Sequence, residues 1–143
     1  MGMRNPPAER LAIGNLGHRA RPRAYRRPSK FGAERATARD GRRFASKAER
    51  DRYEELRHLE AAGEIRGLTL QPSWHFPING VPLTIGGRKV RYTADFLYFD
   101  CRAGTTVVED VKGHMTRDAV LRIALMRAVH GIEVQLVKPR SRR

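Results

Sequence analysis

The sequence predicts an α/β fold, a small mixed sheet flanked by helices. Three observations carry that expectation. Segments 46–63 and 117–131 show helical spacing with start and stop signals. Four segments rich in β-branched and aromatic residues read as strands. Together they run in the order helix, strand, strand, strand, helix, strand.

The first helix is SKAERDRYEELRHLEAAG, 46–63. Ser46 is its N-cap and Glu49, three residues on, completes a capping box. Tyr53, Leu56 and Leu59 form an apolar stripe, and Gly63 supplies the stop. LTLQPSWHF, 68–76, alternates as a strand in which Pro72 implies an edge or a bend. PINGVP, 77–82, holds an Asn-Gly turn. KVRYTADFLYFD, 89–100, is apolar on both faces and predicts a central strand. RAGT turns the chain into TVVEDVKG, the second arm of an antiparallel hairpin. RDAVLRIALMRAVHG, 117–131, is the second helix, capped by Thr116 and stopped by Gly131, and IEVQLVKP, 132–139, is the last strand.

Charge is the strongest compositional signal. The 143 residues hold 29 Lys or Arg against 15 Asp or Glu, a net charge of +14. Of that, +9 lies in residues 1–45, which also carry four prolines and no sustained hydrophobic period. Residues 1–29 therefore read as a disordered basic arm, and 30–143 as one folded domain whose first residues, 30–45, are a partly ordered lead-in. Within the arm, RARPRAYRRPSK places Arg19, Arg21, Arg23, Arg26, Arg27 and Lys30 as candidate contacts to a polyanion, nucleic acid first. No apolar run is long enough to span a membrane, and no secretory signal is visible. A single cysteine, Cys101, forms no internal disulfide and fits a reducing cytoplasm. One cysteine and five scattered histidines argue against structural zinc.

VVEDVKG, 107–113, is the stretch that demands explanation, because buried charge costs several kcal/mol unless it is paired, metal-bound or open to a cleft. Alternation puts Asp110 and Lys112 on one side and Glu109 on the other. Asp95, between Ala94 and Phe96, is a second acid in an apolar strand, and the short hairpin connection brings it near Asp110. Glu49 projects from the core-facing side of the first helix. Two carboxylates about 4 Å apart repel by about 4 kcal/mol at an effective dielectric near 20. A divalent cation reverses that sign, and carboxylates plus water suit Mg²⁺. A metal-bound water is a better nucleophile, and Lys112 on the same side can orient it or balance charge on a phosphoryl oxygen. Plainer readings of these residues stand beside this one. Asp110 and Lys112 also make an ion pair on an exposed edge, Glu49 is also half of a capping box, and Glu109 takes the place of Asp110 if a β-bulge shifts the face. Gln71, His114 and Arg122 are candidate contacts to nucleic acid, and each is equally a polar strand, loop or helix residue.

Asp95 followed by Asp110-Val111-Lys112 resembles the D…(D/E)xK signature of the PD-(D/E)XK nuclease superfamily. KFGAERATARDGRRFASKAERDRYEEL, GEIRGLTLQP, YTADF and VVEDVKG together resemble small phage and prophage endonuclease-like proteins of that superfamily, over about residues 30–138. The resemblance implies a restriction-endonuclease-like αβββαβ core, the order derived above. It implies that Glu49 is the glutamate of a first-helix SxxE motif, Ser46-Lys47-Ala48-Glu49. Asp95 is then the metal-binding aspartate, Asp110 the second acid and Lys112 the catalytic lysine, with the Val111 carbonyl as a further metal ligand. It also implies Mg²⁺, for which Mn²⁺ can substitute, a DNA partner, cleavage leaving a 5′-phosphate, a phage or prophage protein in a bacterial cytoplasm, and a possible homodimer. Two positions depart from the commonest pattern: the second acid is Asp rather than Glu, and Ala94 stands where a proline precedes the first aspartate.

Overall fold

A computed structural model describes residues 34–140, so the basic arm lies outside the described residues. The two helices are α1, Lys47–Ala61, and α2, Arg117–His130. Before α1 come two short paired strands, β1 (Ala36–Thr37) and β2 (Arg43–Phe44). Then follow β3 (Ile65–Leu70), β4 (Ser73–His75), β5 (Pro77–Ile78), β6 (Val81–Pro82), β7 (Thr84–Ile85), β8 (Arg88–Lys89), β9 (Arg91–Thr93), β10 (Phe96–Asp100) and β11 (Thr105–Val111). Beyond α2, the last of the described strands is β12 (Val134–Val137).

The central sheet has the order β12-β11-β10-β3. It is mixed: β3, β10 and β11 are antiparallel neighbours, while β12 lies parallel to β11 across the α2 crossover. Strand alternation divides the core into two layers. Val107 and Val111 of β11 face α1 and pack with Tyr53, Leu56, Phe96 and Tyr98. Val108 faces the opposite way and packs with Met126 of α2, Val134, Tyr92 and Phe76. The expected α/β class and the hairpin formed by β10 and β11 are both present. Ser46 and Thr116 cap the helices as expected, each accepting from the amide three residues on. Gly131, in the left-handed region that favours glycine, closes α2.

Two expected strands are broken. Segment 68–76 is not one strand but β3 and β4, and 89–100 is not one strand but β9 and β10. The breaks lie side by side. Gln71, at φ +50°, and Pro72 interrupt the first, and Ala94 and Asp95 interrupt the second. Proline cannot donate to a ladder, and a non-glycine residue in the left-handed region turns the chain at a cost of roughly 1–2 kcal/mol. The result is one antiparallel ribbon kinked across its width. Its near half, β3 with β10, belongs to the sheet, and its far half, β4 with β9, leaves it. Beyond the kink two small hairpins follow, β5 with β6 and β7 with β8. The Asn79-Gly80 turn closes the first, as the sequence predicts, and Gly86-Gly87 closes the second. None of the described helices is long and apolar enough to cross a membrane.

Candidate functional site at the kinked ribbon

Asp95 sits at the kink with every backbone polar group engaged. Its amide donates to the Glu109 carbonyl at 3.1 Å, and its carbonyl accepts from the Gln71 amide at 2.9 Å. Its carboxylate takes the ladder partner that a regular strand would have used: Val111 N–H donates to Asp95 Oδ2 at 2.7 Å. The side chain is thus fixed between β3 and β11 by main-chain bonds. Since the amide and carbonyl of one strand residue point to the same side, the Val111 carbonyl faces the Asp95 edge as well.

Asp110 lies directly behind. It is 1 % exposed, in a strand that is central rather than an edge. Tyr92 Oη donates to Asp110 Oδ2 at 2.6 Å, and Lys112 Nζ lies 3.2 Å from the same oxygen. The expected sharing of a side by Asp110 and Lys112 is therefore present, and the exposed-edge reading of the pair is not. The Asp95 carboxyl interacts with that of Asp110. Burial first, then the Asp110 side chain, and least of all the Glu49 charge push the Asp95 carboxyl up to about 8. Burial and the bond to Asp110 likewise hold the Tyr92 phenol well above its ordinary value, so that it remains a donor.

Glu49 is half of a capping box and also faces the cleft at Asp95. Its amide donates to Ser46 Oγ at 3.1 Å, Ser46 Oγ lies 3.1 Å from Glu49 Oε1, and the Ala45 amide reaches Oε2 at 3.3 Å. The same carboxylate lines a cleft of about 270 Å³ together with Asp95 and Gln71. Arg42, Arg43, Phe44 and Leu70 complete the walls. The two arginines were missed by sequence reasoning, although Asp40-Gly41 just before them is a hairpin signal.

Glu109 points to the α1 side, as alternation predicts, and no bulge exchanges it with Asp110. It is 1 % exposed and carries a full set of partners. Arg52 donates from Nε to Oε1 at 2.6 Å and from Nη2 to Oε2 at 2.9 Å, and Tyr98 Oη adds a bond of 2.8 Å. These bonds raise the Arg52 pKa further, and burial followed by Glu109 pushes Tyr98 to about 12. The network joins α1, which carries Glu49, to β11, which carries Asp110.

The remaining candidates lie elsewhere. Arg122 bonds Asp118 at 2.8 Å and the Arg91 carbonyl, which ties α2 to β9. His114 lines a separate hollow with Lys112 and Lys138. Arg19, Arg21, Arg23, Arg26, Arg27 and Lys30 lie outside the described residues.

Among the described residues no group of three or more His, Cys, Asp or Glu side chains is arranged to hold a metal ion. The donor set is smaller: the Asp95 and Asp110 carboxylates and the Val111 carbonyl. It fits a hydrated Mg²⁺, which binds through one or two carboxylates and keeps its waters, and not a closed cage. Asp110 is buried and Asp95 partly so, and two acids this close are eased either by a proton on Asp95 or by a cation.

Over residues 28–138 the chain matches a family described as a protein of unknown function (DUF1064), and it belongs to that family. No curated protein and no solved structure gives a match to the chain.

Proposed function

We propose that this protein is a Mg²⁺-dependent DNA endonuclease of the PD-(D/E)XK type, with the αβββαβ elements as a restriction-endonuclease-like core. The observation that carries the reading is the juxtaposition of two acids, buried Asp110 and partly buried Asp95, the latter bonded to Glu109 and Val111 on either side of the former, with Lys112 3.2 Å from the first and a cleft lined by arginines in front of the second. An acid pair of this kind repels phosphate unless a cation intervenes, whereas the net charge of +14 attracts it.

Asp95, Asp110 and the Val111 carbonyl would hold the ion, with Glu49 across the cleft. When bound, Mg²⁺ supplies Lewis acidity toward a phosphoryl oxygen and a more acidic water. Tyr92 and Lys112 keep the Asp110 carboxylate in place from one side, and the main-chain bonds of Asp95 fix the other. Lys112, one third exposed, is placed to donate to an attacking water or to a non-bridging oxygen as charge develops. Arg42 and Arg43 supply cations at the cleft wall for the flanking phosphates. DNA as substrate and a bacterial cytoplasm as setting, of phage or prophage origin, belong to this proposal. No separate base-reading domain is present among the described residues, which favours selection by DNA shape.

A second reading has its own observation. A proton on Asp95 and the Lys112–Asp110 ion pair satisfy the acids without metal, as expected of a basic nucleic-acid-binding protein on a nuclease-like scaffold. Incubation of linear duplex, single strand, flap and four-way junction with Mg²⁺, Mn²⁺ or EDTA separates the two. Endonuclease action predicts metal-dependent cutting that Asp95→Ala and Lys112→Ala abolish, with DNA binding by Lys112→Ala kept within about twofold. Binding without cutting, indifferent to metal, establishes the second reading instead.

A further inference from the structure

The kinked ribbon leads out of the sheet to a feature that the acid cluster does not use. From Pro77 to Lys89 the two consecutive hairpins project with apolar side chains in solvent: Ile78 is 45 % exposed, Val81 67 % and Ile85 71 %. Isolated exposed aliphatic residues need no explanation, but Ile78 and Val81 are cross-strand partners in the first hairpin and Ile85 lies in the one that follows directly, three exposed aliphatics within eight positions. Its base is rigid. Phe76 and Val90 are buried, Leu83 donates to the Phe76 carbonyl, and Val90 donates to the Leu83 carbonyl, both at 2.8 Å. The apolar tips are therefore presented by a packed stem.

Charge decides what can cover them. The thirty residues between Glu64 and Asp95 contain no acid and four cations, Arg66, Arg88, Lys89 and Arg91. Arg88, Lys89 and Arg91 are exposed on the hairpins and their stem. A second copy of the same surface would meet it with like charge. A polyanion would not. Position narrows the choice further, because the stem strand β9 ends two residues before Asp95. Whatever the hairpins hold is held at fixed reach of the acid cluster, which favours a nucleic acid over an anionic membrane surface. Beyond the thymine methyls of a major groove, apolar side chains gain from a nucleic acid where base faces are unstacked, and a continuous duplex hides those faces.

We infer that the double hairpin 77–89 is a DNA-binding finger whose Val81 and Ile85 seat against unstacked bases at a branch point while Arg88 and Lys89 hold the flanking phosphates. The inference rests on the hydrolase reading for its substrate class and adds the shape that is selected. Its test uses the full chain in EDTA, with a four-way junction carrying 2-aminopurine at the branch and a linear duplex of the same strand sequence. The pair Val81→Ser with Ile85→Ser is expected to lower junction affinity about tenfold, to leave linear duplex within about twofold, and to remove the 2-aminopurine signal. Arg88→Ala with Lys89→Ala is expected to weaken both DNAs and to reduce the salt slope by about 1.8, or 0.9 per lost phosphate contact. Both pairs are exposed, so unchanged thermal melts are expected.

An apolar pair that lowers both DNAs equally, or neither, overturns the finger. So does an apolar pair that instead dissociates a dimer in sedimentation, or that abolishes binding to phosphatidylcholine–phosphatidylserine vesicles with DNA binding intact. Cutting assayed beside it with Mg²⁺ keeps the two readings apart. A chain that cuts nothing but loses junction preference in the apolar variant retains the finger and loses the hydrolase. A chain that cuts, with junction preference unaltered in the variant, does the reverse.

Discussion

Asp95→Asn should make the metal-free protein more stable, and increasingly so as pH rises. The Asp95 carboxyl is pushed up to about 8, first by burial and then by Asp110. In the unfolded chain it titrates near 3.9. Between those values the folded state holds a proton that the unfolded state does not. The stability contributed by that proton is fully present below about pH 3.9 and is lost as pH rises to about 8. The slope is at most about 1.4 kcal/mol per pH unit. Since the carboxyl keeps partial access to the cleft, about 2 kcal/mol between pH 5 and pH 7 is the reasonable size. Asparagine is close in shape to the protonated acid, can keep the Val111 amide as donor to its oxygen, and has no such slope. Urea unfolding in EDTA at pH 5, 6, 7 and 8 should therefore show the variant gaining on the natural protein by that amount. Added Mg²⁺ should close the gap, because the cation takes over from the proton. Parallel pH profiles would refute a proton held on Asp95, and with it the argument that a cation takes that proton's place.

Two further outcomes follow from the structure. Arg52→Ala leaves Glu109, 1 % exposed, with Tyr98 alone, and should cost about 3–5 kcal/mol in urea unfolding; a loss below about 1 kcal/mol would mean that the network does not join α1 to β11. Deleting residues 1–29 should leave the melting temperature unchanged. It should also lower the slope of log affinity against log salt for duplex DNA by about 4 to 5, if Arg19, Arg21, Arg23, Arg26 and Arg27 each neutralise one phosphate; an unchanged slope removes the arm from binding.

What could be read in the sequence was local. Alternation along VVEDVKG separated Glu109 from Asp110 and Lys112, because a strand's faces follow from its period of two. The capping residues of both helices were equally plain, since a cap is a contact between neighbours in sequence. The partner of Glu109 was not legible: Arg52 lies 57 residues away, and no periodicity reports a contact across that distance. The two strand breaks were half visible. Pro72 announced a bend, but nothing in YTADF says that Asp95 will replace a backbone ladder bond with its carboxylate. Gly86-Gly87 marks the second hairpin much as Asn79-Gly80 marks the first, but no element is expected from the sequence between Pro82 and Lys89. Arg42 and Arg43 sit in a stretch with no hydrophobic period, and only the fold brings that stretch to the mouth of the cleft.

The kink explains why these features occur together. A regular ribbon would continue β10 into β9 with Asp95 as one more alternating residue, its carboxylate on a packed face at a cost of several kcal/mol. Breaking both strands at the same level removes that conflict. Asp95 Oδ2 takes the Val111 amide, the Gln71 amide takes the Asp95 carbonyl, and the carboxylate reaches a cleft that Glu49 and two arginines share. The same break turns the far half of the ribbon out of the sheet and sets the hairpins on it. Acid cluster and hairpins are then two consequences of one departure from strand geometry. Restoring the strand, for instance by a β-branched residue at Gln71, would act on both, because β-branched side chains resist the positive φ of +50° on which the turn depends.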